Sequence, residues 1–523
     1  MITTIIIVCM LFALNSERYF VKAFGLVGSQ WRQNIGKSFS AYINGQWVKS
    51  INGRVFDVQN PANGSLVGQV PCMEATDAEE AIRAAYTAQP SWSSRTAKER
   101  ASVLKQWHKL MIKHSDDLAE VMTLESGKPL AESKGEVVYA ASFVEWFAEE
   151  AKRAYGQTIP TPSKRMRTLT VTEPVGVCGM VTPWNFPAAM ITRKVAPALA
   201  AGCAAVVKPS EETPLSALAL VELAHLAGVP AGLFNVVTAE RGEKGAASVG
   251  WELCSHPHVR KISFTGSTEV GKLLMELSAS TVKRLSLELG GNAPFVVFED
   301  ADLDMAVNAA MTCKFRNAGQ TCISANRFII HENIAGAFQD RMLHAMKRKL
   351  KVGNGMDRGI TLGPLINSKA IKKMQRHVRD AKAKGAEILI GGGQPTLAEE
   401  TGGHFFEPTL ICNIQDDMLV WREEIFGPIV AIKTFSDLEE AIELANDTEK
   451  GLASYFCTQN HALAWHMAEK LQTGIVGLNE GIVSMESIPF GGTKESGLGR
   501  EGGSVGLDEY LELKYICMGG ISL

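Results

Sequence analysis

The sequence lacks several features that define whole classes of protein. Only 10 of its 523 residues are cysteine, and no two of them are spaced as C-x-x-C. This argues against a disulfide scaffold and against a paired-cysteine zinc site. The charges nearly cancel, because 53 Lys and Arg oppose 56 Asp and Glu, so we expect neither nucleic acid nor a membrane surface as a partner. We predict reduced thiols and no metal site.

A long hydrophobic run is also missing. The most apolar stretch, residues 1–14, is shorter than the roughly 20 residues that cross a bilayer, and it has no basic start or A-x-A cleavage pattern. Residues 15–38 are basic, contain one acidic residue and are interspersed with aromatic residues, which is typical of a mitochondrial transit peptide. We predict that residues 1–38 form a leader and that the protein resides in the mitochondrial matrix. A cytoplasmic protein is the alternative.

The composition that remains is that of a globular protein, with 46% hydrophobic and 21% charged residues. At about 150 residues per domain, the length suggests roughly three domains. From Thr168 onward, β-branched runs such as residues 204–209 and 261–266 alternate with helical stretches. This alternation predicts parallel βαβ units in a doubly wound sheet, where ligands bind at the carboxyl ends of the strands. A second α/β pattern follows residue 291, and residues 507–518 favour an edge strand covered by a partner subunit.

The part of the chain before residue 168 contains helical segments. Thr76 and Glu79 have capping-box spacing, which predicts a helix over residues 76–88. Helical periodicity continues over residues 97–122 and 131–154.

Two segments resemble nucleotide-binding motifs, but neither meets the requirements of its motif. Residues 497–502 fit G-x-G-x-x-G, but too few residues follow to complete a βαβ unit. Residues 266–272 fit the start of a P-loop, but Leu273 replaces the Ser or Thr that binds magnesium. A P-loop NTPase is therefore not expected.

Three residues are candidates for catalysis. Cys322 lies among small and polar residues near a glycine-bearing turn and can be exposed enough to react, although a buried, inert cysteine fits this segment better when it is taken alone. Glu288 ends an apolar run before two glycines, where a dry environment would make it a general base; an edge carboxylate facing water is the alternative. Asn185 lies between two prolines, where a fixed amide suits an oxyanion hole or only closes a turn.

Seven segments, in this order, carry a resemblance to a known family. They are PWNFP (183–187), VVKPSEETP (206–214), FTGSTEVG (264–271), LELGGNAP (287–294), FRNAGQTC (315–322), EEIFGP (423–428) and PFGGTKESGLGREGG (489–503). Together they resemble the aldehyde dehydrogenase superfamily, over about residues 39–518.

The resemblance implies an α/β fold in three parts. Residues 39–151 and 175–290 would form a Rossmann-like NAD-binding domain, and residues 291–495 an α/β catalytic domain. Residues 152–174 and 496–523 would form a small β element for oligomerisation, so we expect a homo-oligomer, either a dimer or a tetramer.

The resemblance also implies a mechanism. Cys322 would attack the aldehyde carbon, Asn185 and the Cys322 N–H would hold the oxyanion, and Glu288 would activate the water that hydrolyses the thioester. NAD would accept the hydride, with NADP weaker because Glu211 would repel a 2′-phosphate. The implied cofactor-binding residues are Trp184, Lys208, Ser210, Glu211, Gly266, Ser267, Gly271, Glu424 and Phe426.

The segments 191–203, 315–322 and 508–515 are similar to succinate-semialdehyde dehydrogenases. The implied reaction is the oxidation of succinate semialdehyde to succinate, a step of 4-aminobutyrate degradation. The substrate carboxylate would be held by Arg193, Arg316 and Ser484.

Several members of that family have a second cysteine two residues after the nucleophile, where this chain has Ser324, so thiol–disulfide gating within this loop is not expected. The alternatives for the chain's function are oxidation of another ω-carboxylate semialdehyde such as glutarate semialdehyde, a non-catalytic binding protein on the same scaffold, and a cysteine-dependent acyl hydrolase.

Overall fold

The computed structural model describes residues 34–521. Most of the predicted leader therefore lies outside the described residues. The fold is built around two large sheets, each with its own apolar core. Within residues 34–521, no helix combines the length and the apolar character needed to span a membrane.

The first sheet has eight strands, of which the five central ones are parallel, as the alternating pattern predicts. Their apolar, β-branched residues suit strands that are buried on both faces. In spatial order the strands are Gln46–Val48, Ala41–Ile43, Phe234–Val236, Ala204–Lys208, Val177–Val181, Val259–Thr265, Arg284–Glu288 and Gly497–Leu498.

The second sheet has seven strands, and only the one at its first edge is antiparallel. Two of its strands, Ala453–Cys457 and Ile475–Leu478, are absent from the sequence-based prediction. In spatial order the strands are Glu387–Ile390, Thr409–Cys412, Ile429–Phe435, Ala325–His331, Ala293–Val297, Ala453–Cys457 and Ile475–Leu478.

A third, antiparallel sheet contains the tail of the chain. Leu511–Met518 pairs along its whole length with Arg167–Pro174, which in turn pairs with Thr158–Ile159. The tail strand is the edge strand of this sheet, and its Leu513 and Tyr515 side chains are exposed. Two further antiparallel strand pairs lie among the described residues: Val55–Gln59 with Leu66–Pro71, and Lys450–Gly451 with Thr493–Lys494.

Helices cover the sheets and connect the parallel strands. The α-helices are Ala75–Ser93, Ala97–Lys113, Ser115–Ser126, Leu130–Glu150, Ala189–Ala201, Pro214–Leu226, Ser248–Ser255, Thr268–Ser278, Leu303–Phe315, Ala335–Lys349, Ser368–Ala383, Thr396–Thr401, Leu419–Arg422, Leu438–Asn446, His461–Lys470 and Val505–Asp508. Short 3₁₀ or π turns cover Ala151–Arg153, Glu243–Ala247, Ala279–Thr281, Arg316–Gly319 and Glu332–Ile334.

The predicted helices over residues 76–88, 97–122 and 131–154 all form, but their bounds, one capping box and the continuity of the second differ from the prediction. The capping box of the first helix is formed by Glu74 and Asp77, because the Asp77 carboxylate accepts from the Glu74 N–H at 3.0 Å and also from the Ile51 N–H at 2.9 Å. The predicted helix over residues 97–122 is broken at His114, whose backbone leaves the helical conformation.

Candidate active site

The carboxyl ends of the central strands of the first sheet bring most of the predicted site residues together. Strand Arg284–Glu288 ends on Glu288 itself, and Cys322 stands just before strand Ala325–His331 of the second sheet. Between them lies a cavity of about 270 Å³. Its lining residues are Pro183, Trp184, Asn185, Met190, Thr265, Gly266, Ser267, Glu288, Leu289, Gly290, Cys322, Ala370, Lys373, Glu424 and Phe426.

Cys322 is partly exposed to this cavity. Among the described cysteines only Cys322 and the tail residue Cys517 are not buried. Burial of the sulfur raises the pKa of the Cys322 thiol to about 12, while the charges of Arg193 and Arg316 act to lower it. The negative charges of Glu288 and Glu424 add to the rise, so the cavity presents a neutral thiol whose ionisation the two arginines favour only in part.

Glu288 faces the cavity from the end of its strand and is 3% exposed. Neither of its carboxylate oxygens has a hydrogen-bond partner among the described residues. Burial, reinforced by the negative charge of Glu501, raises the pKa of Glu288 well above its usual value. A dry carboxylate with both oxygens unpaired is suited to take a proton from water or from a reacting group.

Asn185 lies in the loop between strand Val177–Val181 and helix Ala189–Ala201. Its side-chain Nδ2 donates to the Gln320 carbonyl at 3.1 Å, and its Oδ1 accepts from the Phe186 N–H at 3.1 Å. These two bonds fix the amide plane. Since Nδ2 has two hydrogens, the second can be donated to an oxygen in the cavity.

The other end of the cavity has the character of a nucleotide cleft. Ser267 caps helix Thr268–Ser278, with its Oγ accepting from the Val270 N–H at 3.4 Å. The rings of Trp184 and Phe426 lie 5.5 Å apart at 85° and form an aromatic wall. Glu424 accepts from the Gly291 N–H at 2.9 Å. A helix N-terminus beside flat aromatic surfaces fits a pyrophosphate and a planar ring.

The remaining predicted cofactor residues do not line this cavity. Lys208 ends strand Ala204–Lys208, and its Nζ lies 3.6 Å from Glu211, which also lies 3.3 Å from Arg241 Nε. Ser210 Oγ accepts from the Glu212 N–H at 3.3 Å. Gly271 packs against Leu289, because a Cβ there would lie 2.5 Å from a Leu289 methyl carbon.

Arg316 and Ser484, two of the predicted substrate residues, line a second cavity of about 300 Å³. The Arg316 guanidinium lies 4.8 Å from the centre of the Phe186 ring. Asn185 lines the first cavity and the next residue, Phe186, lines the second, so both cavities border this loop. The other lining residues are Lys128, Glu132, Gly135, Glu136, Tyr139 and Ile482.

Arg193 lines neither cavity. Its side chain is 1% exposed and is paired with Glu501, with 2.6 Å between Nε and Oε2. Lys194 is fully buried and pairs with the other oxygen of Glu501. Burial alone would raise the pKa of Glu501, but Lys194 and Arg193 hold it below its usual value. Glu501 is therefore a buried carboxylate anion that binds two cations of one helix.

Sequence reasoning missed the role of Glu501, and also Lys373, which lines the first cavity. One signal was available for Glu501. Arg193 and Lys194 stand side by side in an otherwise apolar helical stretch, and two buried cations require an anionic partner.

The chain is similar to known proteins over most of its length. Residues 47–516 match the aldehyde dehydrogenase family. The chain is 54% identical over 479 residues to succinate-semialdehyde dehydrogenase [NADP(+)] GabD of Escherichia coli (strain K12), covering 92% of this chain and 97% of that protein. It is 53% identical to a glutarate-semialdehyde dehydrogenase of Pseudomonas aeruginosa, covering 92% and 98% of the two chains. The mitochondrial succinate-semialdehyde dehydrogenase of Homo sapiens is 52% identical, with 92% and 88% covered.

The fold is likewise similar to solved structures. The crystal structure of succinate-semialdehyde dehydrogenase from Burkholderia pseudomallei superimposes with a TM-score of 0.90 at 51% identity, covering 95% of this chain and 99% of that one. With the family match, these similarities confirm the predicted resemblance and the predicted α/β fold class. The chain belongs to the aldehyde dehydrogenase family.

Proposed function

We propose that this protein oxidises succinate semialdehyde to succinate with NAD as the hydride acceptor. One observation carries the proposal: a single cavity joins Cys322, Glu288 and Asn185, and it adjoins a second cavity that holds Arg316. The names of the Escherichia coli and human relatives support the same substrate.

In this proposal the Cys322 thiol first loses its proton to solvent, and the thiolate sulfur then bonds to the aldehyde carbon as the C=O π bond opens onto oxygen. The negative charge that develops on the aldehyde oxygen is met by the Asn185 amide and the Cys322 N–H, and one such donor is typically worth about 2.7–4 kcal/mol. Bound NAD supplies the acceptor for the hydride that leaves this carbon. Glu288 then takes a proton from the water that hydrolyses the resulting thioester, a role suited to its unpaired oxygens.

The residues present fit a nicotinamide dinucleotide. Ser267 and its helix N-terminus would face the pyrophosphate, and Trp184 and Phe426 would enclose the nicotinamide end. Lys208 and Glu211 would hold the adenosine ribose, with Ser210 beside them.

Glu211 would repel a 2′-phosphate, which favours NAD over NADP. NADP, the cofactor named for the Escherichia coli relative, should still be used to some extent. The cations Lys208 and Arg241, which both pair with Glu211, and the hydroxyl of Ser210 are groups that can bind a 2′-phosphate. Comparing kcat/KM for the two cofactors tests this preference, which a Glu211→Gln substitution should shift toward NADP.

For the substrate carboxylate, we propose Arg316 and Ser484 as the binding groups. Arg193 belongs to the predicted set, but it would first have to leave its buried ion pair with Glu501. Glutarate semialdehyde is the second candidate, since the Pseudomonas aeruginosa relative is named for it. The two semialdehydes differ by one methylene, so relative kcat/KM values separate them.

We also propose a homo-oligomer in which a second copy covers the exposed edge strand Leu511–Met518, where Leu513 is 73% exposed. Sedimentation would distinguish a dimer from a tetramer. A mitochondrial location is supported by the leader composition and by the names of the mammalian relatives, whereas a cytoplasmic one is the alternative. Fractionation of cells that express the full chain tests the location.

The activity itself is tested by NADH absorbance after succinate semialdehyde is added to the full-length chain with NAD. We expect turnover that Cys322→Ala abolishes. Two results would contradict the proposal: no NADH formation by the wild-type chain, as in a non-catalytic binding protein, or full turnover by the variant.

A further inference from the structure

Asn317 joins the two loops that carry the proposed oxyanion donor and the proposed nucleophile. Its side-chain Nδ2 donates to the backbone carbonyl of Asn185 at 2.9 Å and to the backbone carbonyl of Gln320 at 3.3 Å. The amide has two hydrogens, so both bonds can form at once. Asn317 is 3% exposed, which shields both bonds from competing water.

A third hydrogen bond links the same two segments. The side chain of Asn185 donates to the same Gln320 carbonyl at 3.1 Å. Asn185 is thus tied at its backbone oxygen by Asn317 and at its side chain by the segment that precedes Cys322. Since Gln320 is only two residues from Cys322, a shift of either loop would change the position of the amide relative to the sulfur.

A buried ion pair also holds the backbone carbonyl of Asn185. Lys128 Nζ donates to the Asn185 carbonyl at 2.7 Å and pairs with Glu136. Glu136 in turn accepts from the N–H groups of Ala188 and Ala189, at the start of the following helix. The Asn185 carbonyl therefore accepts from both Asn317 and Lys128. Glu136 also fixes the backbone that follows, at Ala188 and Ala189.

The backbone of Asn317 indicates that this arrangement has a cost. Its φ is 51°, in the left-handed region that asparagine tolerates better than most residues with a side chain. The Asn317 N–H donates to Glu132 at 2.9 Å, which holds the turn in this conformation. A turn that adopts a strained conformation and places the Asn317 amide against the carbonyls of both Asn185 and Gln320 is consistent with a positional requirement.

We propose that Asn317 is a positioning residue that sets the Asn185 amide relative to Cys322. This inference rests on the proposed function, because it assumes that Asn185 acts as the oxyanion donor. Lys128 assists by holding the same carbonyl.

The test is a double-mutant cycle with two readouts. Asn317→Gly removes the amide but keeps the left-handed backbone accessible. One readout is kcat for succinate semialdehyde, and the other is hydrolysis of p-nitrophenyl acetate without any nucleotide. In the ester reaction Cys322 displaces p-nitrophenolate, and water then releases acetate from the thioester, so the oxyanion forms at the same place.

We expect Asn317→Gly to lower both rates about tenfold or more, with the KM for NAD little changed. In an Asn185→Ala background the same substitution should have almost no further effect, since its target is gone. Asn413→Gly is the matched control: Asn413 also has a positive φ, of 60°, and is exposed, so its replacement should leave both rates unchanged.

An equal loss in both backgrounds, or no loss in either, would overturn the inference. Asn317→Ala, which also lacks the donors, provides a second cycle if Asn317→Gly is too unstable to isolate; alanine already adopts a positive φ of 54° at the next residue, Ala318. A wild-type chain that hydrolyses the ester through Cys322 but oxidises no aldehyde would refute the proposed function and still leave this cycle measurable.

Discussion

Arg193 and Glu501 form a buried ion pair, with 2.6 Å between Nε and Oε2, although 308 positions separate them in the sequence. The pair joins helix Ala189–Ala201, which follows the Asn185 loop, to the segment after the last strand of the first sheet. Arg193, a predicted substrate ligand, is thus held by Glu501, and its charge acts on both Cys322 and Glu288.

Removal of the Glu501 charge should destabilise the protein. Glu501→Gln leaves Arg193 and Lys194 as two buried cations without an anion, and breaking such a pair typically costs about 3–5 kcal/mol. We expect a clearly lower midpoint in thermal unfolding followed by circular dichroism. Glu495→Gln is the control, because Glu495 pairs with Lys272 on the surface and should change the midpoint little. Equal midpoints for the two variants would show that the buried pair contributes no stability.

Glu288→Gln should separate the two halves of the reaction. The amide cannot take a proton from water, so thioester hydrolysis should slow by about 10²–10⁴-fold. Hydride transfer should still occur once in each site. Stopped-flow absorbance is expected to show a burst of NADH close to one equivalent per site, followed by slow turnover. A variant that gives no burst would place Glu288 before hydride transfer instead.

The reactivity of Cys322 should rise with pH in the cofactor-free protein. Burial raises the pKa of the thiol to about 12, so the neutral thiol predominates at pH 7 and the thiolate fraction increases tenfold per unit of pH below that value. Alkylation by iodoacetamide, measured on the Cys322 peptide by mass spectrometry, should accelerate about a hundredfold between pH 7 and pH 9. A rate that is already constant above pH 7 would mean that the two neighbouring arginines outweigh burial.

The sequence was sufficient for those parts of the site that local motifs encode. The Cys322 turn, the Glu288 strand end and the Asn185 loop each lie in a short segment. The parallel strand pattern predicts that Asn185 and Glu288 share one edge of the first sheet, whereas Cys322 precedes a strand of the second sheet and reaches them only through the packing of the two sheets. The ion pair between Arg193 and Glu501 could not be predicted in the same way. The two residues are far apart in the sequence, and only the packing of the folded chain brings them together. The strands Ala453–Cys457 and Ile475–Leu478 were missed for a related reason: only their place in the second sheet distinguishes them from loops.

The most direct measurement compares succinate semialdehyde with butyraldehyde, which has four carbons but no carboxylate, in the wild-type chain and in Arg316→Gln. We expect the wild type to prefer the semialdehyde at least tenfold in kcat/KM, which corresponds to about 1.4 kcal/mol. The variant should lose most of that preference, because Arg316 lines the second cavity near Phe186 and its loss should lower kcat/KM for the semialdehyde much more than for butyraldehyde. The rate with butyraldehyde should fall only by the small effect of the Arg316 charge on the Cys322 thiol. Equal rates for the two aldehydes in the wild type, or an undiminished preference in Arg316→Gln, would contradict the assignment of the second cavity to the substrate carboxylate.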